Sequence, residues 1–139
     1  MRMLLLSLIL LTHSAWAQTP GPSAADRAAI AAVIQSQIDA FRHDDAPAAF
    51  AHAAPSIQSM FENPDRFMAM VRSSYPPVYR PNSVDVAELE QMNGQLVQKV
   101  ELIGPDGRPS LALYTMERQP DGTWKIAGCS LTTSQRLGA

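Results

Sequence analysis

Cysteine is nearly absent. Cys129 is the only one in 139 residues, so no internal disulfide can form and stability must come from packing. A lone cysteine reads first as a small buried apolar side chain and second as a reactive or intermolecular thiol. Runs of Lys or Arg are also missing, and the formal net charge is −2. That mild acidity excludes the basic footprint that nucleic acid or an anionic membrane surface needs. Beyond the N-terminal leader, no apolar stretch approaches the roughly 20 residues that cross a bilayer. Metal-ligand spacing is lacking as well. His43, Asp44, Asp45 and His52 are the one cluster with suitable side chains, but ligands on one helix want a spacing of three or four, and these straddle a helix cap. They read as capping carboxylates beside two surface or interfacial imidazoles, so neither a metal nor a cofactor is expected.

What is present begins with an address. Met1-Arg2 gives a short positive end, Met3 to Leu11 is an apolar run broken only by Ser7, and Ala15-Trp16-Ala17 is a small-x-small cleavage site. Together they predict a secretory signal peptide over residues 1–17, cut between Ala17 and Gln18. The mature chain is then periplasmic or secreted, with no membrane insertion. Gln18 to Pro22 reads as a flexible tether, residues 23–133 as a single domain and residues 134–139 as a frayed C-terminus. A domain of that length buries a core without staples.

The first half is helical in pattern. Ser23, with Asp26 three positions on, approximates a capping box. Ile30, Val33, Ile34, Ile38 and Phe41 then fall on one face of a long helix, with Arg27, Gln35 and Asp39 on the solvated face. Asp44 or Asp45 is a natural N-cap for a second, Ala-rich helix that carries Pro47 in its first turn and Phe50 as its anchor. Pro55 is expected to end that helix and Ser56 to cap a further turn, where Ile57, Met60 and Phe61 make a short apolar step.

The segment from Phe61 to Pro81 must turn the helical layer onto whatever follows. Asn63-Pro64 is a cap followed by proline at the first helical position, with Asp65 near the positive end of the helix dipole. Phe67, Met70 and Val71 line its core side, and Met68 and Tyr75 widen the stripe. Pro76-Pro77 is expected to stop the helix, leaving Val78 to Pro81 as extended chain. Three uses of this segment compete. It is plain core with wet tyrosine hydroxyls, the rim of a pocket built from Arg72, Tyr75, Tyr79 and Arg80, or a protein-binding patch.

After Ser83 the period becomes alternating. Asn93-Gly94 is a strong hairpin signal between Val84–Met92 and Gln95–Ile103, and a two-residue turn pairs Glu88 with Lys99 and Ala87 with Val100. Turns at Pro105-Asp106-Gly107 and Pro120-Asp121-Gly122 bound two further strands. With Gly122 left-handed, Glu117 faces Lys125 and Met116 faces Ile126. Ala112, Tyr114, Met116 and Ile126 are assigned to one face, and Leu111, Leu113, Thr115, Ala127 and Cys129 to the other. Because both faces are partly apolar, this last hairpin is expected to be central in the sheet. Gly128 marks a bulge or bend.

The strings DAFRHDDAPAAFAHAAPSIQSMF, RFMAMVRSSYPPVYRP, LVQKV and ALYTMERQPDGTWKIAGC resemble a proteobacterial family known as domain of unknown function 4864. The order of elements is similar to the nuclear-transport-factor-two-like, or cystatin-like, superfold. The resemblance covers nearly all of the mature chain and implies an α+β fold, with two to three N-terminal helices packed on a curved four-stranded antiparallel meander sheet, a cystatin-like cone. The family carries no assigned activity to transfer. The superfold holds ketosteroid-isomerase-like and dehydratase-like enzymes beside non-catalytic members, so fold alone does not choose. In this chain the inward strand candidates are Tyr114, Met116 and Gln98, with no carboxylate among them to act as a base.

The expectation is therefore an exported, non-catalytic ligand-binding or protein-interaction module. Its site would be Arg72, Tyr75, Tyr79, Arg80 and Tyr114, and its partner a small acidic or apolar ligand or a periplasmic protein. The competing expectation is a small lyase or isomerase of the ketosteroid-isomerase-like type, using His43, Asp44 or His52 with Tyr79. The resemblance also implies a homodimer packed face to face on the sheet.

Overall fold

A computed structural model describes residues 21–133 of the chain. The expected signal peptide, most of the tether and the frayed C-terminus lie outside the described residues. Five helices precede four strands: α1 (Ala24–Arg42), α2 (Ala46–Ala51), α3 (Pro55–Phe61), α4 (Pro64–Ser74), α5 (Pro76–Tyr79), β1 (Ser83–Met92), β2 (Gln95–Ile103), β3 (Pro109–Arg118) and β4 (Trp124–Thr133). The fold is α+β, with the helices packed against one antiparallel meander sheet in the order β1-β2-β3-β4. None of the described helices is long and apolar enough to cross a membrane.

The helix starts follow local chemistry. Ser23 and Asp26 close a full capping box, each side chain accepting from the other's backbone N–H. Asp45 caps α2 and Asn63 caps α4, each with proline in the first turn. Two proline assignments change. Pro55 opens α3 instead of closing α2, and Pro76-Pro77 opens the single turn of α5 where extended chain was expected. The reason is common to both: the first-turn N–H groups of a helix have no intrahelical partner, so a residue without one fits there. The helix count thus rises from the expected two or three to five.

The core runs from one face of α1 (Ile30, Ile34, Ile38 and Phe41) and α4 (Phe67, Met68 and Val71) to Val100, Leu102, Ala112, Tyr114 and Met116 on the sheet. Two bulges set which strand residues face it. In the first hairpin the expected register holds from Met92↔Gln95 back to Leu89↔Gln98 and then shifts, giving Val86↔Val100. Lys99 consequently pairs with Glu90 at 3.2 Å rather than with Glu88. The buried Gln98 amide occupies the irregularity, donating to the carbonyls of Ala87 at 2.9 Å and Glu88 at 3.1 Å.

In the last hairpin Glu117↔Lys125 and Met116↔Ile126 pair as expected, and Gly122 is left-handed at φ 87°. Thr115 then pairs with Gly128, which leaves Ala127 as the extra residue and sets Cys129 opposite Tyr114. Because a bulge moves every later side chain to the other face, Cys129 joins Tyr114 on the inner face, against the expected assignment to the outer one. The last hairpin is not central either: β4 is an edge strand. Part of that edge is covered, since Ile126 exchanges backbone hydrogen bonds with His52 and Ala54 at the α2–α3 junction.

Candidate functional site

Between the helical layer and the inner face of β3 and β4 lies a half-open cavity of about 240 Å³. It is lined by Tyr114, Cys129 and Gly128 on the strands, Gln37 and Phe41 on α1, and Phe67, Met70 and Val71 on α4; Tyr114, Gln37 and Phe41 are the most deeply buried of these. At the mouth stands α3, through Ile57, Met60 and Phe61. Met60 is 68% exposed, the most exposed large apolar side chain among the described residues. The bulge at Ala127 is what brings Cys129 here, and Tyr75, at the junction of α4 and α5, and Val78, on α5, line the same space.

The polar groups of this cavity are few, and those of Gln37 and Tyr75 are partnered by backbone carbonyls. Gln37 donates to the Ala49 carbonyl at 3.1 Å, tying α1 to α2. The Tyr75 hydroxyl donates to the Cys129 carbonyl at 3.1 Å, tying the end of α4 to β4. Tyr114 is fully buried; its hydroxyl has no nitrogen or oxygen partner among the described residues, and its polar neighbour is the Cys129 thiol, a weak hydrogen-bonding group. Burial is the main reason its ionisation is pushed well above the usual tyrosine range, with the nearby Cys129 adding to it. Burial likewise pushes the Cys129 thiol up to about 12, a little offset by Tyr114. No Asp, Glu, Lys, Arg or His stands among the described residues that line the cavity.

The five residues expected to form one site divide into two groups. Tyr75 and Tyr114 line the cavity. Arg72, Tyr79 and Arg80 lie outside it, gathered on Asp44 in the turn between α1 and α2. The Tyr79 hydroxyl and Arg80 both donate to the Asp44 carboxylate, Arg80 at 3.0 Å, and Arg72 donates to the Tyr79 hydroxyl at 3.3 Å. The Arg80 guanidinium stacks 4.0 Å from the Tyr79 ring centroid and also donates to the Phe41 carbonyl. Asp44 is held below its usual range, first by the Tyr79 hydrogen bond and then by Arg80 and Arg72. Its own backbone is left-handed at φ 52°, which Asp tolerates better than most residues.

The remaining candidates scatter. His43 caps α1 and its Nδ1 sits 2.8 Å from the Asp39 carbonyl. His52 ends α2, where burial and then Lys125 lower its pKa. No group of three metal-ligating side chains gathers among the described residues. Sequence reasoning missed Gln37, Met60 and Cys129 as cavity residues. For Cys129 the available signal was Gly128, correctly suspected of marking a bulge but not carried through to the side chain that follows it.

With this geometry in hand, comparison with known proteins adds the lineage. The chain belongs to the family described as a domain of unknown function (DUF4864), which matches residues 23–139. Neither the curated proteins nor the solved structures contain a match.

Proposed function

We propose that the chain is an exported, non-catalytic module that binds a small molecule in the cavity between α3, α4 and the inner face of β3 and β4. The export half of this reading rests on the leader pattern of residues 1–17. The binding half is carried by one observation: the hydroxyl of fully buried Tyr114 has no nitrogen or oxygen partner and only the weak Cys129 thiol beside it, in a largely apolar cavity. Folded proteins partner about nine in ten or more of their buried polar groups, and an orphan costs about 1–3 kcal/mol. A ligand that supplies the missing partner accounts for its retention. The cavity, at about 240 Å³, exceeds the roughly 150 Å³ that accepts a benzene-sized molecule.

The available acid, base and nucleophile candidates support binding over catalysis. A general base working near neutrality needs a pKa close to the operating pH, whereas Asp44 is held low and exposed. A nucleophilic cysteine needs a depressed pKa, whereas Cys129 is pushed to about 12. The test is a thermal-shift screen of small apolar and acidic compounds on four proteins: wild type, M70W, Y79A and R80A. M70W, which fills the cavity, should lose the stabilisation that wild type gains, while Y79A and R80A keep it. The opposite pattern would move the site to the arginine cluster.

A further inference from the structure

We infer that the cavity accepts an uncharged ligand with a single hydrogen-bonding head, inserted head first so that its apolar tail leaves across α3. The inference deepens the binding reading above and rests on it. Its first support is the polarity gradient of the cavity, which runs opposite to an ordinary surface cleft. The cavity's most deeply buried polar group is the Tyr114 hydroxyl, with no nitrogen or oxygen partner and only the Cys129 thiol beside it. At the mouth are Ile57, Phe61 and the 68% exposed Met60. A ligand whose polar group stayed in water would lay its apolar part against Tyr114 and leave that hydroxyl unpaired, which is the more costly arrangement.

The second support is charge. No ionisable acid or cation stands among the described lining residues, and Tyr114 and Cys129 both stay protonated through the physiological range. Burying a carboxylate or an ammonium group against such a wall has no compensating partner. The two cationic residues expected at the site, Arg72 and Arg80, face Asp44 and Tyr79 instead. The Tyr75 hydroxyl is held by the Cys129 carbonyl, so Tyr114 carries the lining hydroxyl without an oxygen or nitrogen partner, beside only the weak Cys129 thiol. As a hydroxyl it can donate to a ketone or amide oxygen and accept from an alcohol. One head, not several, is the number it can satisfy.

Three compounds of one skeleton test this on the intact chain. Butylbenzene has no head, phenylbutanol has an uncharged one and phenylbutyrate has an anionic one. Calorimetry or ligand-observed NMR on wild type should rank phenylbutanol about three- to tenfold above butylbenzene and at least about a hundredfold above phenylbutyrate. In Y114F, which keeps the ring and its packing, phenylbutanol should fall to the level of butylbenzene while butylbenzene holds its affinity. A ring-current shift of the Met60 methyl resonance on binding phenylbutanol reports the tail at the mouth. If phenylbutyrate binds as tightly as phenylbutanol, or Y114F leaves the ranking unchanged, the uncharged-head inference falls and cavity binding stands. If none of the three binds, both fall.

Discussion

The cavity behind α4 and the cluster on the α1–α2 turn draw on the same short stretch, Arg72 to Arg80, yet treat its side chains differently. In the cluster every polar end is engaged: Tyr79 on Asp44, Arg80 on Asp44 and Phe41, Arg72 on Tyr79. In the cavity the walls are largely apolar and one buried hydroxyl has no nitrogen or oxygen partner, only the Cys129 thiol beside it. A satisfied polar network reads as fastening, because each group already has what it needs. An orphan inside a cavity reads as provision for something else. The residues with the more conspicuous chemistry, two arginines and a tyrosine, thus belong to the quieter region.

The largest perturbation that would erase the difference acts on the support the two regions share. Phe67 is 6% exposed and packs against Phe41, Phe50 and Phe61 with ring centroids 5.5–6.0 Å away. Phe61 stands at the cavity mouth, and the Phe41 carbonyl receives Arg80. F67A should cost about 3–5 kcal/mol in urea unfolding and abolish ligand stabilisation. A loss under about 1 kcal/mol would mean the aromatic cluster is not what holds the cavity open.

A finer test compares the two tyrosines of the cavity. Y75F deletes a hydroxyl that donates to the Cys129 carbonyl and should destabilise by about 1 kcal/mol. Y114F deletes a hydroxyl with no nitrogen or oxygen partner and only the weak Cys129 thiol beside it and should leave the free protein equally stable or more stable by about 1 kcal/mol. The same chemical change thus carries opposite signs on opposite walls. Equal losses from both in thermal or urea unfolding would show that Tyr114 has a partner after all and would remove the asymmetry.

How much of this was legible in the sequence depends on how far apart the deciding residues lie. Ser23 with Asp26, Asn63 with Pro64, Asn93-Gly94 and Gly122 act within a few positions, and each did what its residue type predicts. The bulges were not readable in the same way. The one in β1 coincides with a buried Gln98 amide that meets two carbonyls about ten residues away. The one at Ala127 decides the side of the sheet on which Cys129 falls, and a period-two pattern has no means of announcing a skipped beat. Pro76-Pro77 was ambiguous by nature, since proline both stops one helix and starts the next. The site was half legible for the same reason. Of the residues expected at the site, Tyr75 and Tyr114 line the cavity, but Tyr79 and Arg80 turn towards an aspartate 35 and 36 positions earlier.

The smallest expected effect comes from the cluster itself, and its sign with pH is fixed. The Asp44 carboxyl is held below the ordinary 3.8 by Tyr79 first and by Arg80 and Arg72 after it. A carboxylate with a lowered folded-state pKa contributes stability that is present above its unfolded value and lost as pH falls through the folded one. D44N keeps a side chain that tolerates the left-handed backbone but carries no charge to lose. Wild type should therefore melt slightly higher than D44N at neutral pH, by less than Y75F costs, and the gap should close as the solution is taken below 3.8. Added salt should narrow the gap as well, since the side chains of Asp44 and Arg72 are each more than half exposed and such pairs are screened. Ligand affinity in D44N should match wild type. If it drops with the charge, the cluster reaches into the cavity's chemistry and the separation between the two regions fails.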